Sequence, residues 1–216
     1  MQLRINMYLK LLGLTGIIIL LSNCATMNKA DCLNADWQLI GFEDGSLGKN
    51  EVSISQHRKD CSEHGVTPDL TAYRKGHYEG AKAFCTTHNG FTRGLQGKEY
   101  KRNCPEAFEK AFLTGFSDGQ NLYGLKKVLN QRTDDLEDTY KELDWLEHTI
   151  AEKSEVMISD GLNRNQRIAI RDEIAEHQTQ QQHLYAVLRE LKQEFENASL
   201  AYEQAKREFA NYSPTN

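Results

Sequence analysis

Apolar residues recur every seven positions along the second half of the chain. Leu129, Leu136, Leu143, Ile150 and Met157 hold one such series, helped by Tyr140 and Leu146. Ile170, Leu184, Leu191, Ala198 and Ala205 hold a second, and Ile174, Leu188, Phe195, Tyr202 and Phe209 a third, four residues on. One heptad is soft, with His177 and Gln181 in the core places. Repeats of this kind make coiled-coil seams. No proline interrupts the chain between Pro105 and Pro214. The one break is Ser159 to Asn165, where Gly161 suits a helix end and Asn163 or Asn165 a helix cap. A short connection places consecutive helices antiparallel. The pattern therefore predicts a helical hairpin over residues 122–212, turning near 159–165, in which the two seams bury each other. Arms of about 38 to 46 residues would reach roughly 57 to 69 Å at 1.5 Å per residue.

Residues 24–121 read differently, rich in glycine, aromatics and cysteine. Thr67-Pro68-Asp69 has the signals of a helix start, with Thr67 as cap and Pro68 in the first turn. The helix predicted there runs from about Pro68 to His88 and stops at Asn89-Gly90, and Gly90, Gly94 and Gly97 fill a loop before the next start at Pro105. The two helices look like copies: shifted by 39 residues, Tyr73, Gly76, Gly80 and Phe84 fall on Phe112, Gly115, Gly119 and Tyr123. Glycine inside a helix costs about 1 kcal/mol relative to alanine, so Gly76, Gly80, Gly115 and Gly119 at matching spacing imply close backbone approach. The expectation is two helices packed glycine face to glycine face, with a groove for a ligand backbone or glycan as the alternative. The fold class is thus mainly α: a small disulfide-stapled helical base over 24–121, then the hairpin.

The chain begins with Arg4 and Lys10 ahead of an unbroken apolar run from Leu11 to Leu21. That run is shorter than the roughly 20 apolar residues a spanning helix needs, and fits the core of a secretory signal peptide over residues 1–23. Leu21-Ser22-Asn23-Cys24 resembles the bacterial lipobox, with Asn23 where Gly, Ala or Ser is usual. The resemblance implies cleavage before Cys24 and acyl chains (palmitate among them) on that cysteine, which hold a protein to membrane lipid. In lipoproteins of this kind an Asp after the cysteine favours the inner membrane; Ala25 stands here, which points to the outer membrane, facing the periplasm. An exported chain with four further cysteines, Cys32, Cys61, Cys85 and Cys104, is expected to pair them. Three connectivities are open. Cys32 with Cys61 and Cys85 with Cys104 close the shortest loops, and each closure contributes about 2 to 4 kcal/mol.

Three strings of residues carry a further resemblance. They are Trp37-x3-Gly41-x2-Asp44-Gly45-x2-Gly48, then Cys61-x3-Gly65-x3-Asp69-x3-Tyr73-x2-Gly76-x3-Gly80-x4-Cys85, then Gly90-x3-Gly94-x2-Gly97-x2-Tyr100-x3-Cys104-Pro105. Together they are similar to an uncharacterised family of small proteobacterial lipoproteins, domain of unknown function 2799, over roughly residues 30–124. The resemblance implies export, lipidation and a Gram-negative envelope; it carries no activity.

Chemistry is sparse. The chain contains no Gly-x-Ser-x-Gly, no phosphate-binding loop, no His-Glu-x2-His and no dinucleotide fingerprint, so no catalytic residue is assigned and no cofactor is expected. Cys61-x2-His64 and Cys85-x2-His88, with His57 and His77 near, offer a zinc ligand set on paper, against which an oxidising compartment draws cysteines into disulfides. Asp44, Asp60, Glu63 and Asp69 read as solvated surface, and Trp37 as cover for the small core. The formal charge of −5 becomes −7 when Arg4 and Lys10 leave with the signal peptide, which excludes a nucleic-acid partner. The expectation is a non-catalytic envelope protein whose hairpin touches another envelope protein, a second copy of itself or peptidoglycan. The alternative is a ligand- or zinc-binding, or enzymatic, periplasmic domain in residues 30–121.

Overall fold

The computed structural model describes residues 27–212; the expected signal peptide and Cys24 lie outside them. Seven α-helices follow one another: α1 (Lys29–Leu33), α2 (Trp37–Ser46), α3 (Ile54–Ser62), α4 (Leu70–Phe84), α5 (Thr87–Leu95), α6 (Glu106–Ile158) and α7 (Arg164–Glu208), with 3-10 turns at Glu51–Ser53 and Ala210–Tyr212. No strand occurs among the described residues, and no described helix is long and apolar enough to cross a membrane.

Side-chain caps set several starts. Asn28 accepts the Ala30 and Asp31 N–H groups while Asp31 reaches back to the Asn28 N–H, and Asn163 and Gln166 make the same reciprocal pair at the start of α7. At α4 the cap is Asp69 in place of Thr67, its carboxylate accepting the Ala72 N–H at 2.9 Å. The helix expected to continue to His88 ends at Phe84. Thr86 then caps a new helix by accepting the Asn89 N–H, so Gly90 and Gly94, expected in a loop, lie inside α5.

The chain forms two compact units, one built on α1 to α4 with Lys101–Pro105, the other on α5, α6 and α7. The border expected at residues 121 and 122 falls within the single helix α6, because the second glycine face and the first arm of the hairpin share one backbone.

Each glycine face expected to meet the other is instead covered by a short helix that carries glycines of its own. In the first unit α2 lies on α4. A Cβ on Gly76 would stand 1.8 Å from the Gln38 carbonyl oxygen, one on Gly80 2.1 Å from that of Phe42, one on Gly41 2.1 Å from that of Tyr73 and one on Gly45 2.2 Å from that of His77. In the second unit α5 lies on α6 in the same way. Gly115 faces the Thr87 carbonyl, Gly119 that of Phe91, Gly90 that of Phe112 and Gly94 that of Phe116, at 1.9 to 2.2 Å. The turn after the short helix repeats as well. Gly48 and Gly97 have φ of +69° and +65°, where only glycine is unstrained, and they lie under the rings of Phe84 and Tyr123. The chain therefore holds two copies of one glycine-packed helix pair, with α3 inserted only in the first.

A disulfide joins Cys32 of α1 to Cys61 of α3 beside a core of Met27, Trp37 and Tyr73. Cys85 and Cys104 are disulfide-bonded as well.

Helices α6 and α7 form the antiparallel coiled-coil hairpin. Arg132 pairs with Glu194, and 21 residues on Lys153 pairs with Glu173, 21 residues back. Leu143, Leu146, Ile174, Leu188, Ala198 and Ala205 are buried along the seam. Tyr140, expected to help the seam, is exposed with the Lys192 ammonium over its ring; the smaller Thr139 takes the buried place. Gly161, at φ +91°, makes the turn. Past α7, Phe209 and Tyr212 fold back on Phe91, with the Tyr212 and Phe91 rings stacked at 4.4 Å. The Tyr212 hydroxyl donates to Asp118 at 2.7 Å.

Candidate functional site

The first helix pair holds a buried polar cluster. Asp44, expected on the surface, lies on α2 between two packing glycines and is only 3% exposed. Its carboxylate accepts three hydrogen bonds: the Tyr73 hydroxyl from α4 and His57 Nε2 from α3 donate to Oδ2, each at 2.9 Å, and Lys49 Nζ donates to Oδ1 at 2.7 Å. The turn at Gly48 brings Lys49 back over the end of α2, where its N–H donates to the Asp44 carbonyl at 2.9 Å. His77 Nε2 donates to the Lys49 carbonyl at 2.8 Å and its ring stacks on Tyr73. Asp60, also expected on the surface, is buried, with Gln56 donating to it at 2.8 Å. Of that acidic set Glu63 and Asp69 are exposed, the latter as the cap of α4.

Burial alone would push the Asp44 carboxyl up, but the hydrogen bonds from His57, Lys49 and Tyr73 and the Lys49 charge outweigh it. They hold Asp44 well below its ordinary value of 3.8. Burial, followed by the bond and charge of Asp44, pushes the Tyr73 phenol far above its ordinary 10.0. Near neutral pH Asp44 is thus an anion and Tyr73 a donor. Since the folded value of Asp44 is the lower one, its contribution to stability is fully present above pH 3.8 and is lost as the pH falls below it. Asp44→Asn is expected to destabilise the protein by about 1 to 3 kcal/mol at neutral pH. It should also flatten the fall in melting temperature between about pH 5 and pH 2. Thermal melts of both proteins across that range check the prediction; parallel curves would sink it.

One atom of the cluster is unmatched. His57 is nine-tenths buried, and its Nδ1 has no hydrogen-bond partner. Leaving a buried polar atom unpaired costs about 1 to 3 kcal/mol. His57, Asp44 and Lys49 also line a cleft of about 610 Å³.

The 49-residue shift that superimposes the glycines places Arg93 at Asp44, and the 39-residue shift places Phe112 at Tyr73 and Phe116 at His77. At those positions the second pair carries other chemistry: Tyr100, whose hydroxyl donates to Glu109 at 2.9 Å, packs on Phe112 and Phe116. The zinc set does not survive: Cys61 is joined to Cys32 and Cys85 is disulfide-bonded, so neither offers a thiolate. No group of three His, Cys, Asp or Glu side chains suited to a metal stands among the described residues.

The class defined by these features is an all-helical protein in which a duplicated glycine-packed helix pair runs directly into a coiled-coil hairpin. Residues 36–121, which contain both glycine pairs, match the family described as protein of unknown function (DUF2799), the one whose pattern the sequence resembles. The uncharacterized protein YfiL of Escherichia coli (strain K12) is 32% identical over 71 residues, which cover 33% of this chain and 54% of YfiL. The chain thus spans about half the length of that relative. No solved structure matches.

Proposed function

We propose that this is a lipid-anchored, non-catalytic protein of the cell envelope that engages a partner through its hairpin. The observation that carries the reading is the hairpin itself. Its two helices of 53 and 45 residues leave Trp145, Tyr185 and Leu200 exposed, the last 68% so. Large apolar side chains gathered into one exposed patch mark an interaction surface. The anchor rests on the sequence: a signal peptide followed by Leu21-Ser22-Asn23-Cys24, with Ala25 directing the lipoprotein to the outer membrane. The partner is another envelope protein, a second copy or peptidoglycan.

The test has two arms. In cells fed radiolabelled palmitate, wild-type protein is labelled and sediments with membranes, whereas Cys24→Ser is unlabelled and released; equal labelling would sink the anchor. A photo-crosslinking residue at Asn163, at the turn, should capture one discrete partner. Capture unchanged when Trp145 and Leu200 are replaced by serine would count against the apolar surface, and no capture against the partner.

A further inference from the structure

The tip of the hairpin combines charge with exposed aliphatic side chains that the seam does not require. Arg164, Arg167, Ile168 and Arg171 recur at spacings of three and four, which puts them on one face of α7. With Met157 of α6 they line an open hollow of about 560 Å³. Ile158 is 76% exposed, and Val156 and Ile168 are exposed as well. Arg167 donates to the Met157 and Ser159 carbonyls across the turn, which holds its charge at the tip. Arg171 pairs with Asp172, and Arg164 is exposed in the first turn of α7. Residues 156–171 thus carry three arginines and one carboxylate, Asp160. The rest of the hairpin, 122–155 and 172–212, carries nine Lys and Arg against seventeen Asp and Glu. An acidic rod ends in a basic, aliphatic tip.

That asymmetry selects the occupant. A second copy is disfavoured, because the arginines of one tip would meet those of the other. A stable protein interface takes about 800 Å² from each partner. The end of two helices side by side, each about 10 to 12 Å across, offers roughly a third of that. A bilayer surface sets no such minimum. Guanidinium groups pair bidentately with phosphate, and aliphatic side chains among basic ones are the composition of segments that lie in the headgroup region. We infer that the tip docks on a bilayer surface containing anionic phospholipid, with Arg164 and Arg171 on headgroup phosphates and Val156, Ile158 and Ile168 among the first acyl carbons. The carboxylates of the arms are repelled by the same surface, so the hairpin meets it end on. This contact goes beyond the partner proposed above and uses none of Trp145, Tyr185 and Leu200.

The experiment is a binding titration of the chain from residue 25 to 216, made without lipid so that Cys24 contributes nothing; it retains every described residue. The probes are vesicles of phosphatidylglycerol with phosphatidylethanolamine, and vesicles of phosphatidylcholine alone. Saturable binding to the first is expected, weakening as salt is raised, with binding to the second weaker by more than about tenfold. Arg164→Gln and Arg171→Gln should each weaken binding about fivefold, the effect of one basic side chain near an anionic surface. Lys126→Gln and Lys127→Gln, exposed at the other end of the hairpin, should leave it unchanged. In Ile158→Trp the new indole should be quenched by bromine-labelled acyl chains, whereas Trp37 and Trp145 in the parent chain are not. Vesicles hold no protein partner, so this contact and the partner reading can fail separately. Equal binding to both vesicles, unaltered affinity in both arginine variants, or an equal loss in the lysine variants overturns the proposal. Absence of vesicle binding overturns it too, and capture of an acidic protein from Asn163 would then assign the tip to that protein.

Discussion

Gly119→Ala is expected to lower the melting temperature by roughly 4 to 8 °C, whereas Gly124→Ala, five residues along the same helix, is expected to raise it by about 2 to 4 °C. The two substitutions are chemically identical and differ only in what the new methyl group meets. At residue 119 it would stand 2.2 Å from the Phe91 carbonyl oxygen and 2.7 Å from the Leu95 nitrogen. Both are backbone atoms that no rotamer change can move. Forcing a methyl into a filled space costs about 1 to 3 kcal/mol, and more where the neighbours are rigid, which exceeds the gain of about 1 kcal/mol that alanine brings to any helix interior. At residue 124 nothing lies within 4 Å, so the propensity gain stands alone. Thermal melts by circular dichroism of the three proteins decide the matter. A rise in both variants would mean that α5 does not lie on α6 as described.

Leu146→Ala, in the middle of the hairpin, is expected to destabilise by about 2 to 5 kcal/mol, the range for deleting a large buried aliphatic side chain. Leu143→Asp or Leu188→Asp should melt the hairpin. Leu146 is 1% exposed, so its loss leaves a hole between the arms. Its neighbour Trp145 is 56% exposed, its ring T-shaped to that of His177 in α7. Trp145→Ala should therefore change stability by less than about 1 kcal/mol, a surface substitution. Urea unfolding of the two alanine variants separates them: a midpoint shift in Leu146→Ala with none in Trp145→Ala is the expected pair. Equal shifts would mean that the seam runs elsewhere, as would unchanged helicity in Leu188→Asp.

The hairpin was legible because a heptad repeat states both the period and the face. The turn was legible because Gly161 and Asn163 each do one thing that few other residues do. The glycine pairing was half legible. Gly76, Gly80, Gly115 and Gly119 signalled close approach, but not which surface approached them. The partners Gly41, Gly45, Gly90 and Gly94 lie in segments too short and too glycine-rich to read as helices, since propensity disfavours glycine and only the backbone contact rewards it. A signal was present nonetheless: shifting the chain by 49 residues lays Gly41, Gly45 and Gly48 on Gly90, Gly94 and Gly97. The Asp44 cluster was not legible. Its members come from α2, α3, α4 and a turn, at separations of 5, 13 and 29 residues, and no local spacing distinguishes a buried carboxylate from a solvated one. Cys61 was legible in outline: an even set of cysteines pairs, the connectivity with the shortest loops joins it to Cys32, and that disulfide is the one formed.

Helix α6 runs unbroken from Glu106 to Ile158, about 80 Å at 1.5 Å per residue, and its root is the second glycine pair. The arm is therefore a rod clamped at one end, with no joint between clamp and tip. A load applied near residue 161 reaches Gly115 and Gly119 as bending of the same rod. There two backbones in contact leave no slack, and close-packed interiors pass strain on. Just outside the clamp stands Gly124, where an added methyl group would meet nothing within 4 Å, between Leu122 and Leu125, which pack with Ala205 and Tyr202 of α7. Gly124→Ala, besides raising the melting temperature, would remove the one glycine of α6 beyond the clamp.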